Sequence, residues 1–296
     1  MSDNEVEDFV IEFEKKAQNI KNEIDRSKKY RAGVVALAQK AVTSNDISYL
    51  KEAIRFTDHI IDVNNRSRAF VDIIKAIAKI AQETVNIELV KWSLELSDNT
   101  LKGLDRSHAL EITSSAFINV GMLMDDPAII EDSKKLADTI EYNTYRSMAW
   151  RDIARTLHSM DETSGSLTAA NKALDIIDSS NGIRHIIYNA SAYVDLSKLF
   201  IELGHVDTAK ECLIKALECA QNLEDEFELS SIYQSIAEVQ ARIGIRTKDR
   251  ILFKAAVDSF NKVTQEFYRS STRQTLINIF IGAGENELIK QIGQKQ

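Results

Sequence analysis

The sequence predicts an all-α fold made by stacking helix pairs, and three observations carry that reading. An Arg-Ser pair recurs at a spacing of 40 residues, as Arg26-Ser27, Arg66-Ser67, Arg106-Ser107 and Arg146-Ser147. A fixed period in this range is the signature of an array of repeated supersecondary units. Within a unit the apolar residues step at i, i+3, i+4 and i+7, as in Phe70, Ile73, Ile74, Ile77, Ile80 and Ala81, which is one face of an amphipathic helix. The chain holds one proline, Pro127, and ten glycines. Residues that punctuate strands and long loops are therefore scarce, and helices joined by tight turns are expected.

The elements follow in order. Residues 1–25 are expected to form a lone capping helix, with Val6, Phe9, Val10, Phe13, Ala17, Ile20 and Ile24 on one face. A helix-pair array then covers 26–284, with first helices at 26–42, 66–82, 106–123, 146–159, 184–203, 227–243 and 269–282. In the second unit a break at Gln82-Glu83-Thr84 precedes a second helix carrying Leu89, Val90, Ser93, Leu94 and Ser97. Asn64-Asn65 reads as a helix stop and Ser67 as the N-cap of the next first helix. Ser44 and Thr84 mark second-helix starts. Asp126-Pro127 opens another, with proline at the first helical position, where its missing N–H does no harm. Asp58, Asp98 and Asp138 repeat at the same spacing. After the fourth unit the register drifts: Arg184 stands in for the pair, the sixth unit opens near Phe227 without an arginine, and Arg269-Ser270 restores the motif. Residues 285–296 are expected to hold a truncated last helix and a tail.

The fifth unit resembles a tetratricopeptide repeat. Tyr193, Leu196, Phe200, Gly204, Ala209, Leu213, Ala216 and Leu217 match that family's large, large, aromatic, turn-glycine, small, large, small and apolar positions. Ser197 replaces the small glycine of the first helix, and Gln221 the closing proline. The resemblance implies an all-α, right-handed α-solenoid of about six to seven antiparallel helix pairs, with helices longer than the family's usual ones. It also implies that first helices line a concave binding surface.

Composition fits a soluble, cytoplasmic chain: 44% hydrophobic and 28% charged residues, an acidic amino terminus without a signal-type apolar core, and no apolar run of membrane length. Cys212 and Cys219 lie seven residues apart on one helical segment, about 10.5 Å along its axis, too far for a disulfide. They are expected to be buried thiols.

Chemical motifs are sparse. His59, His108, His158, His185 and His205 fall in five different units. The sequence contains no HExxH pair, phosphate-cradling glycine loop or nucleophile elbow, so neither a catalytic centre nor a metal or cofactor is expected. The Asp125-Asp126 carboxylates read as a helix cap. Each ladder arginine is read as closing the preceding helix, beside its free carbonyls or paired with the aspartate eight residues back; the alternative is a column of guanidinium groups that clamps carboxylates or phosphates.

Charge distribution supplies the functional expectation. The first helices as bounded above sum to a formal +11, leaving about −19 for the rest of a chain of net charge −8. A positively charged groove follows, with Lys28, Arg31, Lys75, Lys79, Arg151 and Arg155 as its candidate binding residues. The leading expectation is a non-catalytic scaffold that binds an acidic peptide, helix or chain terminus of a partner protein. The alternative is RNA or single-stranded nucleic acid along the same groove, against which stand a pI near 5.3 and the absence of interleaved aromatic and basic residues. A third reading is end-to-end self-association through an apolar terminal face near Phe280-Ile281.

Overall fold

A computed structural model describes residues 3–179 and 186–293, and every described regular element is an α-helix. The chain divides into two compact units, 1–156 and 157–296. In the first, α1 (Asp3–Gln18) precedes α2 (Glu23–Ser44), α3 (Ser48–Thr57), α4 (Val63–Thr84), α5 (Ile87–Thr100), α6 (Gly103–Met124) and α7 (Pro127–Asp138). Helix α8 (Asn143–Ser159) contributes its residues through Thr156. Each long helix packs on the short one that follows, and α2, α4 and α6 stack in sequence. The architecture is a tetratricopeptide-like α-solenoid of helix pairs. Helix α1 lies on α2 and α3, where Val6, Val10 and Ala17 are buried and Phe13 packs 5.0 Å from Phe56.

The second unit repeats the scheme. Helix α9 (Thr163–Asp178) packs on α10 (Ile186–Glu202), which pairs with α11 (Val206–Ala220). The pairs α12 (Glu226–Thr247) with α13 (Arg250–Asn261) and α14 (Glu266–Ala283) with α15 (Asn286–Gly293) follow, and α10, α12 and α14 stack. The tetratricopeptide-like residues take their expected places. Tyr193, Leu196, Phe200, Ala209, Leu213 and Ala216 are buried, Gly204 turns the chain at φ 85°, and the Ser197 hydroxyl donates to the Ala209 carbonyl at 2.7 Å. Phe280 is not an open terminal face. It is fully buried in a cluster with Phe253, Leu276, Leu288 and Ile292, while Ile281 is exposed.

The 40-residue period also governs backbone conformation. Asn45, Val85 and Asp125 each end a long helix in the left-handed region, at φ 53°, 50° and 52°. Each time the next N–H bonds back to Ala41, Ala81 or Gly121, which satisfies a carbonyl the helix end would leave unpaired. Asp126 caps α7 by accepting from Ala128 and Ile129 N–H, with Pro127 at the first helical position as expected.

Two expectations about the ladder are corrected. The helices start earlier than Ser67 implies: Asp62 caps α4 by accepting from Asn65 N–H, and Asn22 caps α2 the same way. Ser44 and Thr84 are the last residues of first helices, their hydroxyls donating to Lys40 and Ile80 carbonyls. The ladder serines instead tie one unit to the next. Ser27 accepts from Ile61 N–H at 3.2 Å, Ser107 from Tyr142 N–H at 3.4 Å, and the sixth unit's Ser230 from Thr264 and Gln265 N–H at 3.1 Å. A short hydroxyl at that position reaches backbone that a longer side chain would displace. Two of the arginines take the anticipated roles, Arg106 pairing with Asp98 at 2.7 Å and Arg269 donating to the Val263 carbonyl at 2.8 Å, whereas Arg146 donates to Asn143. Arg184 and His185 lie outside the described residues.

Candidate functional site

The polar face of α2, α4, α6 and α8 in the first unit is where the candidate residues fall. True helix bounds alter its charge. Among the described residues the first helices carry +5, against +11 expected, because they take in Glu23, Asp25, Glu83, Asp105, Glu226, Glu266 and Arg246, and because Arg184 lies outside the described residues. Glu23, Asp25, Asp105, Glu226 and Glu266 lie in first turns, where they face the positive end of the helix dipole.

Asp152 is the hub of the face. Its carboxylate accepts from Arg151 Nε at 2.8 Å and from Ser115 Oγ at 2.7 Å, and Arg155 Nη1 lies 4.0 Å away. Glu111, half-buried on α6, hydrogen-bonds the same carboxylate. Burial pushes the Glu111 carboxyl up to about 8, with the Asp152 charge adding to the rise and Arg151 and Lys75 opposing it. Glu111 therefore holds its proton at neutral pH and donates to Asp152. His108, one turn earlier on α6, stacks on Tyr145 at 5.0 Å. Burial and then the Lys75 charge push its imidazole down to about 4, so it is neutral. One helix over, Arg31 on α2 pairs with Asp72 on α4.

The six candidates divide accordingly. Arg151 is buried and committed to Asp152, and Arg31 to Asp72. Lys28 stands at the start of α2, apart from the cluster, 71% exposed and 3.6 Å from Asp25. Lys75 and Lys79 are exposed on successive turns of α4. Among the described residues Lys79 has only a long 3.7 Å pairing to Glu83, and Lys75 has no ion pair. Arg155 on α8 is partly exposed, 4.0 Å from Asp152.

Sequence reasoning missed Asp72, His108, Glu111, Ser115 and Asp152. The period contained a signal: Arg31, Glu111 and Arg151 are 40 and 80 residues apart in one register, and Lys75, Ser115 and Arg155 share another. It also missed a cavity of about 700 Å³ in the second unit, lined by Lys198, Ile201 and Glu202 of α10 and by Glu238, Arg242, Ile245 and Arg246 of α12. Lys198 and Arg242 each sit six residues before a left-handed cap, Gly204 and Lys248, the position that Lys79 holds before Val85. Elsewhere in this unit Cys212 is buried and Cys219 half-buried, and both are free thiols.

No family model matches the chain, and no curated protein does. Among solved structures it is similar to a circular tandem repeat protein (13% identity, TM-score 0.38, covering 98% of this chain and 86% of that one). It is also similar to the Rap protein complexed with Competence and Sporulation Factor (13%, TM-score 0.41, 93% and 86%). A third similar structure is a STAND signal-transduction ATPase with a tetratricopeptide-repeat sensor from Pyrococcus horikoshii (12%, TM-score 0.43), of which this chain spans 46%. These likenesses are loose. The helix pairs themselves establish the repeat architecture.

Among the described residues no group of three His, Cys, Asp or Glu side chains is placed to hold a metal ion, and no helix is long and apolar enough to cross a membrane.

Proposed function

We propose that the chain is a protein-interaction scaffold whose first unit binds an acidic peptide, helix or chain terminus on the polar face of α4, α6 and α8. One observation carries this reading. The charges that project from that face are Lys75, Lys79 and Arg155, whereas its carboxylates are engaged within the protein. Asp152 accepts from Ser115 and Arg151, Asp72 pairs with Arg31, and burial beside the Asp152 charge raises the Glu111 carboxyl and so favours its neutral form. A ligand carboxylate arriving there meets cations whose own counter-charges are distant or already committed. Such pairs set orientation and on-rate, and apolar anchors add affinity.

The test reverses the three outward cations together, as Lys75→Glu, Lys79→Glu and Arg155→Glu. Arg151 stays in place, since losing it would strand Asp152 as a buried charge. Titration of a labelled Glu/Leu amphipathic peptide, followed by anisotropy, is expected to show affinity falling about tenfold or more while the helical circular dichroism is kept. Equal binding by both proteins would refute the assignment. So would tighter capture of a single-stranded RNA than of the peptide at matched salt, with the steep salt dependence of phosphate contacts.

A further inference from the structure

Three rings stand together on the surface of the second unit, at the N-terminal ends of α12 and α14. Phe227 meets Tyr268 edge-on with centroids 4.9 Å apart, and Phe267 meets the same tyrosine at 5.4 Å. Phe227 is 55% exposed and Phe267 79%. Folding gains little from a phenylalanine left so far in water, and two of them beside a tyrosine make a contiguous apolar ledge rather than scattered surface residues.

The charge around this ledge is of one sign. Glu224, Asp225, Glu226 and Glu228 flank Phe227, and Glu266 precedes Phe267. No ion pair links these five carboxylates to any described residue. Asp225 caps α12, and Glu266 accepts from the Ser270 hydroxyl. The cations nearest in the chain are turned elsewhere. Arg269 gives its guanidinium to the Val263 carbonyl and the Phe260 ring, and the Lys262 ammonium lies 4.7 Å from the Tyr233 centroid. The helix dipole accounts for Glu226, Glu228 and Glu266 one at a time. It explains neither Glu224, which precedes α12, nor the exposed rings that the acids surround.

We propose that this ledge docks a basic, arginine-bearing segment of a partner protein. A guanidinium plane stacks on a ring face and donates in parallel to a carboxylate, so an aromatic ledge rimmed by acids satisfies both of its preferences at once. An acidic segment or an anionic lipid surface meets like charge here, and an uncharged apolar helix would desolvate carboxylates with nothing to pair them. The surface lies in the other unit from the Lys75, Lys79 and Arg155 face and selects the opposite ligand charge, so the two proposals stand or fall separately.

The full chain is titrated into a labelled peptide of arginine and leucine, with anisotropy as the readout. Phe227→Ser combined with Phe267→Ser is expected to weaken binding about tenfold. Neutralising distant acids by Glu88→Gln and Glu131→Gln is expected to change it less than about twofold. A lysine-for-arginine peptide is expected to bind more weakly than the arginine one. Unchanged circular dichroism and an unchanged urea-unfolding transition by circular dichroism establish that the serine variant is folded. The proposal is overturned by equal binding of the variant, by an equal loss from the distant neutralisations, or by equal binding of the lysine peptide. Sedimentation showing a self-association that the serine substitutions abolish would also overturn it, by making a second copy the occupant.

Discussion

Replacing Glu111 by glutamine separates the electrostatics of the first unit from its packing. The side chains are nearly isosteric, and the amide N–H of glutamine donates to Asp152 where the protonated carboxyl does now. The carboxyl titrates at about 8 in the folded protein against 4.5 for a free one. Between those limits the native state keeps a proton that the unfolded chain releases, so stability falls as pH rises across the window. The slope is about 1.4 kcal/mol per pH unit for one proton. His108 acts in the opposite sense: with a folded value of about 4 against 6.5, it removes stability as pH falls from 6.5 toward 4. Lys75 from α4 faces both groups, Asp152 and Arg151 from α8 face Glu111, and Asp72 faces His108. The variant retains the histidine contribution and loses that of Glu111, so the difference between the two proteins isolates one group. Glu111 is only half-buried, and solvent screening reduces the ideal total to about 2–3 kcal/mol. The assay is urea unfolding followed by tryptophan fluorescence. Both tryptophans of the chain, Trp92 and Trp150, belong to the first unit, so the signal ignores the second. Glu111→Gln is expected to match the wild type near pH 5 and to gain on it steadily to about pH 8, then to run parallel. Parallel curves across the whole range would refute the protonated carboxyl.

Val85→Gly relieves a β-branched side chain held at φ 50° and should stabilise the first unit by about 1 kcal/mol; a lower urea midpoint would contradict the strain. Gly33→Ala places a methyl 2.5 Å from Phe13 Cζ and 2.9 Å from Phe56, so α1 should be displaced and the amides of Phe9 to Ala17 should exchange faster. Unaltered protection there would mean that the Phe13 ring simply moves aside. Burial pushes the Cys212 thiol up to about 12, so iodoacetamide near pH 8 should label Cys219 first and Cys212 only on unfolding, as read by peptide mass spectrometry.

The helix pairs were legible because their causes are local. The step of Phe70, Ile73, Ile74 and Ile77 dictates a buried stripe, and those residues line the core of the first unit as the spacing requires. Pro127 announced its cap, and the fifth unit's Gly204 its turn. Helix starts were misplaced by three residues for an equally local reason. Asp62 and Ser67 are both competent caps, and nothing in the linear chain says that Ser67 is already inside the helix with its backbone N–H bonded elsewhere.

Which cations are consumed and which project was not legible, because partners such as Asp72 for Arg31 and Ser115 for Asp152 come from another repeat. Lys75 and Arg151 are equivalent as letters on a helical stripe. Arg151 is buried against its chain neighbour Asp152, whose carboxylate Ser115 of α6 holds from 37 residues away, while Lys75 forms no ion pair among the described residues. Sequence by itself determined the repeat, the helical period and the caps, since each is a property of residues within a few turns of one another. Tertiary structure decided which charges are consumed and which project, because ion pairing and burial depend on side chains brought together from 37 to 41 residues away.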